Sequence, residues 1–298
     1  MAVSYRSIAT GAFTDMNGAA PSITITKPTG LTAGDYMVAI IGFVDADRGT
    51  GDAISGWTLL EAINNSNCSL YVYGKTADAG DAAASNFTFA IDTGTGGAND
   101  YIVGGLIAIS GTAPISNAVF VNSGSDSDGG TTNVFANTIT PTVADSILIM
   151  GVLGQHTGGA GVTTSNYAVA TDNPTWTERY DTTVNDTTDY TFAIATGPRS
   201  AVTATGNSQA DFSSATTFGA GVVIAVLETT NVTVNPSVIS LVGSVQSPSV
   251  TGSATVTIAS PVSLTANIVA PTVTVSDAKW STTNKSNTSP TITNVNKS

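Results

Sequence analysis

The chain has 298 residues, of which only 10% are charged, and its formal net charge is -12 because 21 Asp and Glu outnumber 9 Lys and Arg. Nucleic-acid binding needs clustered cationic side chains, so this balance argues against nucleic acid as a partner. The length suffices for two cores of ordinary domain size. A charged fraction well below the usual quarter or so is common in proteins whose faces are buried against other subunits and in proteins that contain many β-turns.

Cysteine usage and the N-terminus restrict the setting further. Cys68 is the only cysteine, which excludes an intrachain disulfide and a thiolate zinc site. Its surroundings predict a half-buried strand residue and not a reactive thiol. The first residues lack the apolar core of a signal peptide, and no apolar run approaches the roughly 20 residues of a membrane span. We therefore expect synthesis in a cytoplasm without a signal peptide, and no membrane insertion.

One β-pattern occurs twice along the chain. An alternating strand leads to Pro28 in the first copy and to Pro141 in the second, and a buried apolar strand follows in each. Trp57 and Trp176 then open matching strands, and apolar glycine-containing strands close both copies. The near-constant offset of roughly 110 to 120 residues predicts a tandem duplication. We place the first module at residues 1–114 and the second at residues 115–230.

Alternation and β-branched content predict about seven strands in each module, separated by glycine-rich and asparagine-rich turns. The first-module strands are predicted at residues 3–9, 22–26, 35–44, 57–63, 68–76, 86–92 and 100–110. The second-module strands are predicted at residues 117–122, 132–140, 146–154, 175–182, 188–196, 201–213 and 217–228. No segment shows a helical period, so the sequence predicts an all-β protein with two tandem antiparallel β-sandwich or jelly-roll-like modules. Whether the modules form separate sandwiches or one composite stays open.

Residues 231–298 differ in composition from the two modules. A segment beginning at Ser240 is echoed about 23 residues later, and no aromatic residue lies between Asn231 and Lys279. Small β-branched residues cannot build a thick core of their own, which predicts either a disordered linker or an extended arm that pairs with another chain. The regular alternation of the segment favours the arm. Its apolar rows are Leu241, Val245, Val250, Leu264, Ile268 and Val273, and Trp280 stands in the polar tail that follows. We expect this arm to support a homo-oligomer, with a trimer favoured, or to bind a neighbouring structural protein.

Residues with catalytic potential are sparse. His156 is the only histidine, and no serine lies in a nucleophile-elbow pattern, which predicts a loop histidine without function. Glu61 and Glu178 follow the matched tryptophans at different offsets, so a glycosidase carboxylate pair built from them is not expected. The sequence therefore predicts no catalytic residues and no enzymatic activity.

Two aspartate clusters are weak candidates for calcium, the one cofactor that we consider. Carboxylate oxygens suit this ion, but neither cluster matches the twelve-residue calcium loop, and acidic turns explain both equally well. The candidates are Asp45, Asp47, Asp52, Asp126 and Asp128. Trp57 and Trp176 could stack on sugars, but their recurrence at the start of matching strands favours a structural role at one end of each core.

The ordered motifs of both copies resemble a family of repeated β-sandwich proteins. The motifs are Gly-Asp at 34–35, Gly-Trp-Thr at 56–58, Leu-Tyr-Val-Tyr-Gly-Lys at 70–75, Gly-Gly-Leu-Ile-Ala-Ile-Ser-Gly at 104–111, Ala-Asp-Ser-Ile-Leu-Ile at 144–149 and Thr-Trp-Thr-Glu-Arg-Tyr-Asp at 175–181. Such proteins are common among virion components of tailed bacteriophages and among bacterial surface proteins. The resemblance covers residues 23–227 and supplies no catalytic residues.

The resemblance implies a non-enzymatic structural protein of a tailed-phage virion, displayed as a head decoration, fibre or tail appendage. Its partners would be other virion proteins, and the C-terminal arm would anchor it to the particle. The alternative, from a different class, is an adhesin module that binds carbohydrate on the host surface through tryptophan, tyrosine and aspartate loops.

Overall fold

The computed structural model describes residues 3–16, 20–44, 53–65, 67–91, 100–111, 119–120, 124–126, 131–141, 144–156, 161–185 and 189–227. The first copy contains β1 (Ser4–Asp15), β2 (Ser22–Thr26), β3 (Tyr36–Val44), β4 (Thr58–Asn65), β5 (Cys68–Thr76), α1 (Ala79–Ala83), β6 (Asn86–Ala90) and β7 (Tyr101–Ser110). The second contains β8 (Val119–Phe120), β9 (Gly124–Asp126), β10 (Thr131–Ala136), β11 (Ser146–His156), β12 (Thr164–Val169), β13 (Thr177–Val184), β14 (Asp189–Arg199) and β15 (Ser208–Val226). The prediction of an all-β, antiparallel protein is confirmed. The arm residues 231–298 lie outside the described residues.

The first copy is a two-layered β-structure. Its larger sheet has the strand order β1-β7-β3-β5-β4, and its smaller sheet pairs β2 with β6. All nine residues of β3 are buried, because both faces of this central strand are covered. Successive side chains point to opposite faces, so Met37, Ile41 and Phe43 pack towards the β2–β6 sheet while Val38 and Ile40 point the other way.

The second copy repeats this arrangement. β8 and β9 pair with β15 as β1 pairs with β7, and the sheet continues through β11, β14 and β13, while β10 and β12 also pair with β15. The C-terminal half of the 19-residue strand β15 lies beside β11, as β7 lies beside β3. Its N-terminal half pairs with β10 and β12, in the place that β6 takes beside β2. One uninterrupted strand thus pairs in both layers of the second copy, whereas the first copy uses the two separate strands β6 and β7.

The two copies pack back to back and share one apolar core. The buried residues of this core come from both large sheets and include Val38, Ile40, Val72, Leu153, Phe192, Ile194, Val222 and Ile224. β1 contacts β13 and β4 contacts β15, so the strand order runs in opposite directions in the facing sheets. The Arg179 guanidinium lies 3.7 Å from the centre of the Tyr5 ring at one margin of this interface. The structure therefore joins the repeats into one composite, which answers the question that the sequence left open.

Glycine permits close approach of the two sheets at this interface. A Cβ atom added to Gly105 of the first copy would lie 2.4 Å from Ile194 Cδ1 of the second, and one added to Gly151 would lie 2.9 Å from Ile40 Cδ1. Distances below 3 Å cannot be accommodated without movement of the packed side chain. These positions need the smallest residue because of packing across the interface, not because of backbone conformation.

Several elements, β9 among them, differ from the sequence prediction. Residues 201–213 and 217–228 were expected to form separate strands, but β15 is continuous across the polar segment between them. Helix α1 has only five residues, too few to show a helical period, and a capping box between Asp78 and Asp81 starts it. β12 was not predicted because its residues combine polar side chains with Asn166 in the left-handed region (φ 49°), which interrupts the alternation.

Candidate functional site

The residues named as site candidates from the sequence lie in different environments. Asp45, Asp47, Asp52 and Asp128 lie outside the described residues, as do the arm residues Leu241 to Val273 and Trp280. Asp126 ends β9 and pairs with Gly219 through the backbone. Within the described ranges, no group of three or more His, Cys, Asp or Glu side chains could hold a metal ion.

His156 and Cys68 are core residues. The prediction that His156 lies on a loop is wrong. His156 ends β11, and its ring is fully buried, 5.0 Å from the Phe212 ring. Burial lowers the pKa of His156 below its usual value. Cys68 begins β5, fully buried instead of half-buried, and burial raises the pKa of its thiol far above its usual value. The thiol is therefore unreactive, as the sequence predicts.

The two tryptophans of the repeat have diverged in environment. Trp57 is partly buried and packs edge-on against Phe87 and Phe89 of the first core, with ring centres 5.9 Å and 5.0 Å away. Trp176 packs partly against the second core but also lines an open groove of about 450 Å³. The groove lies between β12 and the start of β13, and its lining residues are Thr164, Ser165, Asn166, Tyr167, Asn173, Pro174, Trp176 and Glu178.

Hydrogen bonds from the segment before β13 fix the Trp176 ring. Asn173 Oδ1 accepts from Trp176 Nε1 at 2.8 Å and from the Val169 backbone N–H at 2.9 Å, so one amide oxygen joins the ring to the end of β12. The ring also lies against β14, since a Cβ atom on Gly197 would come within 3.3 Å of Trp176 Cδ2. One side of the indole is thus packed against the protein, and its position is set before any ligand arrives.

Arg199 holds the loop that leads into this segment. Its side chain is 1% exposed, and its terminal nitrogens donate to the backbone carbonyls of Thr171, Asp172, Thr203 and Ala204 at 2.9 to 3.4 Å. Asp172 has a left-handed backbone (φ 49°), which aspartate tolerates better than most residues. The guanidinium therefore positions Asn173 and, through it, Trp176.

Two carboxylates and two hydroxyls form a compact cluster at the other side of the groove. Thr164 Oγ1 lies 2.9 Å from the Tyr167 hydroxyl, 3.3 Å from Glu178 Oε2 and 3.1 Å from Asp181 Oδ2. The Tyr167 hydroxyl also donates to Glu178 Oε2 at 3.2 Å. These four contacts share only the two hydroxyl protons of Thr164 and Tyr167.

Burial acts on both carboxylates of this cluster. Burial, together with the nearby charge of Asp181, raises the pKa of Glu178 above its usual value. Burial also raises the pKa of Asp181, although the Thr164 backbone N–H donates to its Oδ2 at 2.9 Å. Asp181 Oδ1 is buried without a hydrogen-bond partner in the described part of the chain. The two carboxylates therefore hold protons more readily than isolated ones.

Several polar groups of the groove remain available for a ligand. Asn173 uses its amide oxygen internally, while no described residue accepts from its Nδ2. Ser165 is exposed, and its hydroxyl makes no hydrogen bond among the described residues. Glu178 is exposed and uses Oε2 in the cluster, which leaves Oε1 for an external donor. The groove thus offers donors and an acceptor beside an indole ring.

Sequence reasoning identified only part of this site. Trp176 and Glu178 were considered as separate candidates, whereas Tyr167 and Asn173 were not considered. The polar runs Ser-Asn-Tyr at 165–167 and Asp-Asn-Pro at 172–174 are the available signals, because asparagine and proline mark turns that can carry binding residues. The pairing of Glu178 with Asp181 also went unrecognised, since it depends on Thr164 of another strand.

Comparison of the chain with protein-family models, with curated proteins and with solved structures found no match. Among the described residues, no helix has the length and apolar character that a membrane span requires.

Proposed function

We propose that the protein is a non-enzymatic structural component of a tailed-phage virion, displayed on the particle surface. The observation that best supports this proposal is the shared core between the two copies, which makes a single stiff body from two sandwiches. Such a body can hold surface loops at fixed positions. The sequence resemblance described above supplies the virion context, and residues 231–298 supply the anchor.

The anchor can be tested with a deletion. Phage particles assembled with the chain truncated after residue 230 should lack the protein, while particles assembled with the full chain should contain it. A second variant replaces Leu241, Val245, Leu264 and Ile268 by Asp and keeps the chain length unchanged. Quantitative mass spectrometry of purified particles measures incorporation, and light scattering of the free protein measures its oligomeric state. Normal incorporation of both variants would contradict the proposed anchor, and absence of the full chain from particles would contradict the virion assignment.

Carbohydrate binding is a second candidate function, and the groove beside Trp176 is the observation that favours it. Binding sites for small ligands combine a concave surface with aromatic side chains and a few fixed polar groups, as this groove does. A displayed module with such a groove would contact glycans on the host surface. The two functions are compatible, because anchoring depends on residues after 230 and binding depends on residues 164–178.

A further inference from the structure

We propose that the groove lined by Thr164, Tyr167, Asn173, Trp176 and Glu178 binds a neutral saccharide and discriminates against acidic ones. The inference rests on the carbohydrate-binding candidate above and adds the site, the ligand class and the residues that select it. It requires no residue outside the described part of the chain.

The aromatic component of the site is Trp176. Its Nε1–H is already bonded to Asn173, and part of its ring contacts β14 at Gly197, so its orientation costs no further ordering when a ligand binds. Tyr167 lies next to it, with ring centres 6.3 Å apart and planes inclined at 39°. The C–H face of a pyranose ring is apolar and can stack on an indole placed in this way.

The polar component matches hydroxyl groups. Each sugar hydroxyl can both donate and accept a hydrogen bond, so it is best held between a donor and an acceptor. Asn173 Nδ2 is such a donor, Glu178 Oε1 is such an acceptor, and the Ser165 hydroxyl can act as either. Charge-assisted hydrogen bonds are stronger than neutral ones, which makes Glu178 the main polar contact to a sugar hydroxyl.

The charge of the groove decides which saccharides fit. Glu178 lines it, Asp181 stands directly behind Thr164, and Asp211 accepts from Asn166 Nδ2 at 3.1 Å. None of the residues that line the groove is cationic. Arg199, beside a neighbouring smaller depression, is committed to backbone carbonyls. A carboxylate on the ligand would therefore meet like charges without a compensating cation, whereas a neutral saccharide would not.

The test uses the ¹⁵N-labelled full chain and follows the Trp176 indole N–H resonance, which is assigned by its disappearance in Trp176→Phe. The probes are glucose, galactose, mannose and N-acetylglucosamine, each at up to tens of millimolar, followed by lactose and 3′-sialyllactose as a neutral and an acidic pair. We expect a saturable shift with at least one neutral sugar. We also expect weaker binding of the acidic member if the neutral member binds.

Two side-chain variants locate the site. Glu178→Gln keeps the shape of the side chain but removes its charge, and it should weaken binding about tenfold, as expected for loss of a charge-assisted hydrogen bond. Ser165→Ala should weaken it less. Glu61→Gln is the matched control, because Glu61 follows the tryptophan of the first copy and also has a pKa raised by burial, yet lies outside the groove. The control should bind as the unmodified chain does.

The outcomes separate this inference from the functions on which it rests. No saturable shift of the Trp176 resonance with any of the four neutral sugars would overturn it, as would undiminished binding by Glu178→Gln. If sugars shift only the Trp57 indole resonance, the assignment of the site to the Trp176 groove is wrong, while carbohydrate binding by the protein is supported. Equal binding of lactose and 3′-sialyllactose would overturn the discrimination by charge. If an arm variant is lost from particles but still binds sugar, that loss supports the proposed anchor and leaves the saccharide site unaffected.

Discussion

The back-to-back packing of the two copies predicts a specific energetic coupling between Gly105 and Ile194. Gly105→Ala places a methyl group where Ile194 Cδ1 lies 2.4 Å away, so one of the two sheets must shift or the isoleucine must leave its preferred rotamer. Overpacking of this kind costs about 1–3 kcal/mol. Part of that cost is offset, because alanine is favoured over glycine within a strand by roughly 0.5–1 kcal/mol.

A double-mutant cycle isolates the contact between the two copies. Ile194→Val removes the clashing Cδ1 atom and by itself costs about 1 kcal/mol. In the double variant the new methyl group occupies the space that Cδ1 vacated, so the combined loss should be smaller than the sum of the single losses by roughly 1 kcal/mol. The preference of alanine over glycine in a strand contributes equally to Gly105→Ala with and without Ile194→Val, so it cancels from the coupling energy.

Urea denaturation of the four proteins, followed by circular dichroism, gives the free energies of unfolding. Ile25→Val provides the matched control, because Ile25 lies in the other core of the first copy, facing Gly104 on the opposite side of β7. Gly105→Ala and Ile25→Val should therefore be additive. Additivity of Gly105→Ala with Ile194→Val, within about 0.3–0.5 kcal/mol, would refute the shared core.

Three further predictions follow from the core and the groove. Because the described cores lie within residues 3–227, a chain ending at residue 230 should show a cooperative β-type melt by circular dichroism, and a non-cooperative melt would contradict independence from the arm. The raised pKa of Glu178 means that its contribution to stability is fully present below the ordinary carboxyl pKa and is lost as pH rises through the raised value. Glu178→Gln should therefore flatten the decline in melting temperature as pH rises above the ordinary carboxyl pKa, and an unchanged pH profile would contradict the raised pKa. Arg199→Ala should cost about 1.5–3 kcal/mol because the loop carbonyls of Thr171 and Thr203 lose a charged donor, whereas a loss below about 1 kcal/mol in urea denaturation would show that the loop does not depend on this side chain.

The sequence by itself determined the fold class and the repeat. Alternation in β2 and the continuous apolar run in β3 specify strands through local pattern, and the same order of motifs in both copies predicts the same strand order. Trp57, which opens the strand that the repeat predicts, packs against the core of the first copy. These features can be predicted because burial of one face of a strand produces alternating apolar residues, and burial of both faces produces a continuous apolar run.

The tertiary structure decided how the copies are joined and where the groove lies. A strand such as β3 that is buried on both faces has the same apolar sequence whether its second cover is a helix, another subunit or another copy of the same module. The sequence pattern therefore could not predict the shared core, although it contains Gly105 and Gly151, which permit the close approach of the two sheets.

The site was beyond sequence reasoning for a related reason. Glu178 and Asp181 are neighbours on β13, but their coupling through the Thr164 hydroxyl exists only because β12 folds over that strand. Trp176 matches Trp57 in the repeat, and their different surroundings depend on chain segments distant in sequence. Local pattern determines which residues become strands, whereas long-range packing determines which polar groups meet and which tryptophan lines an open groove.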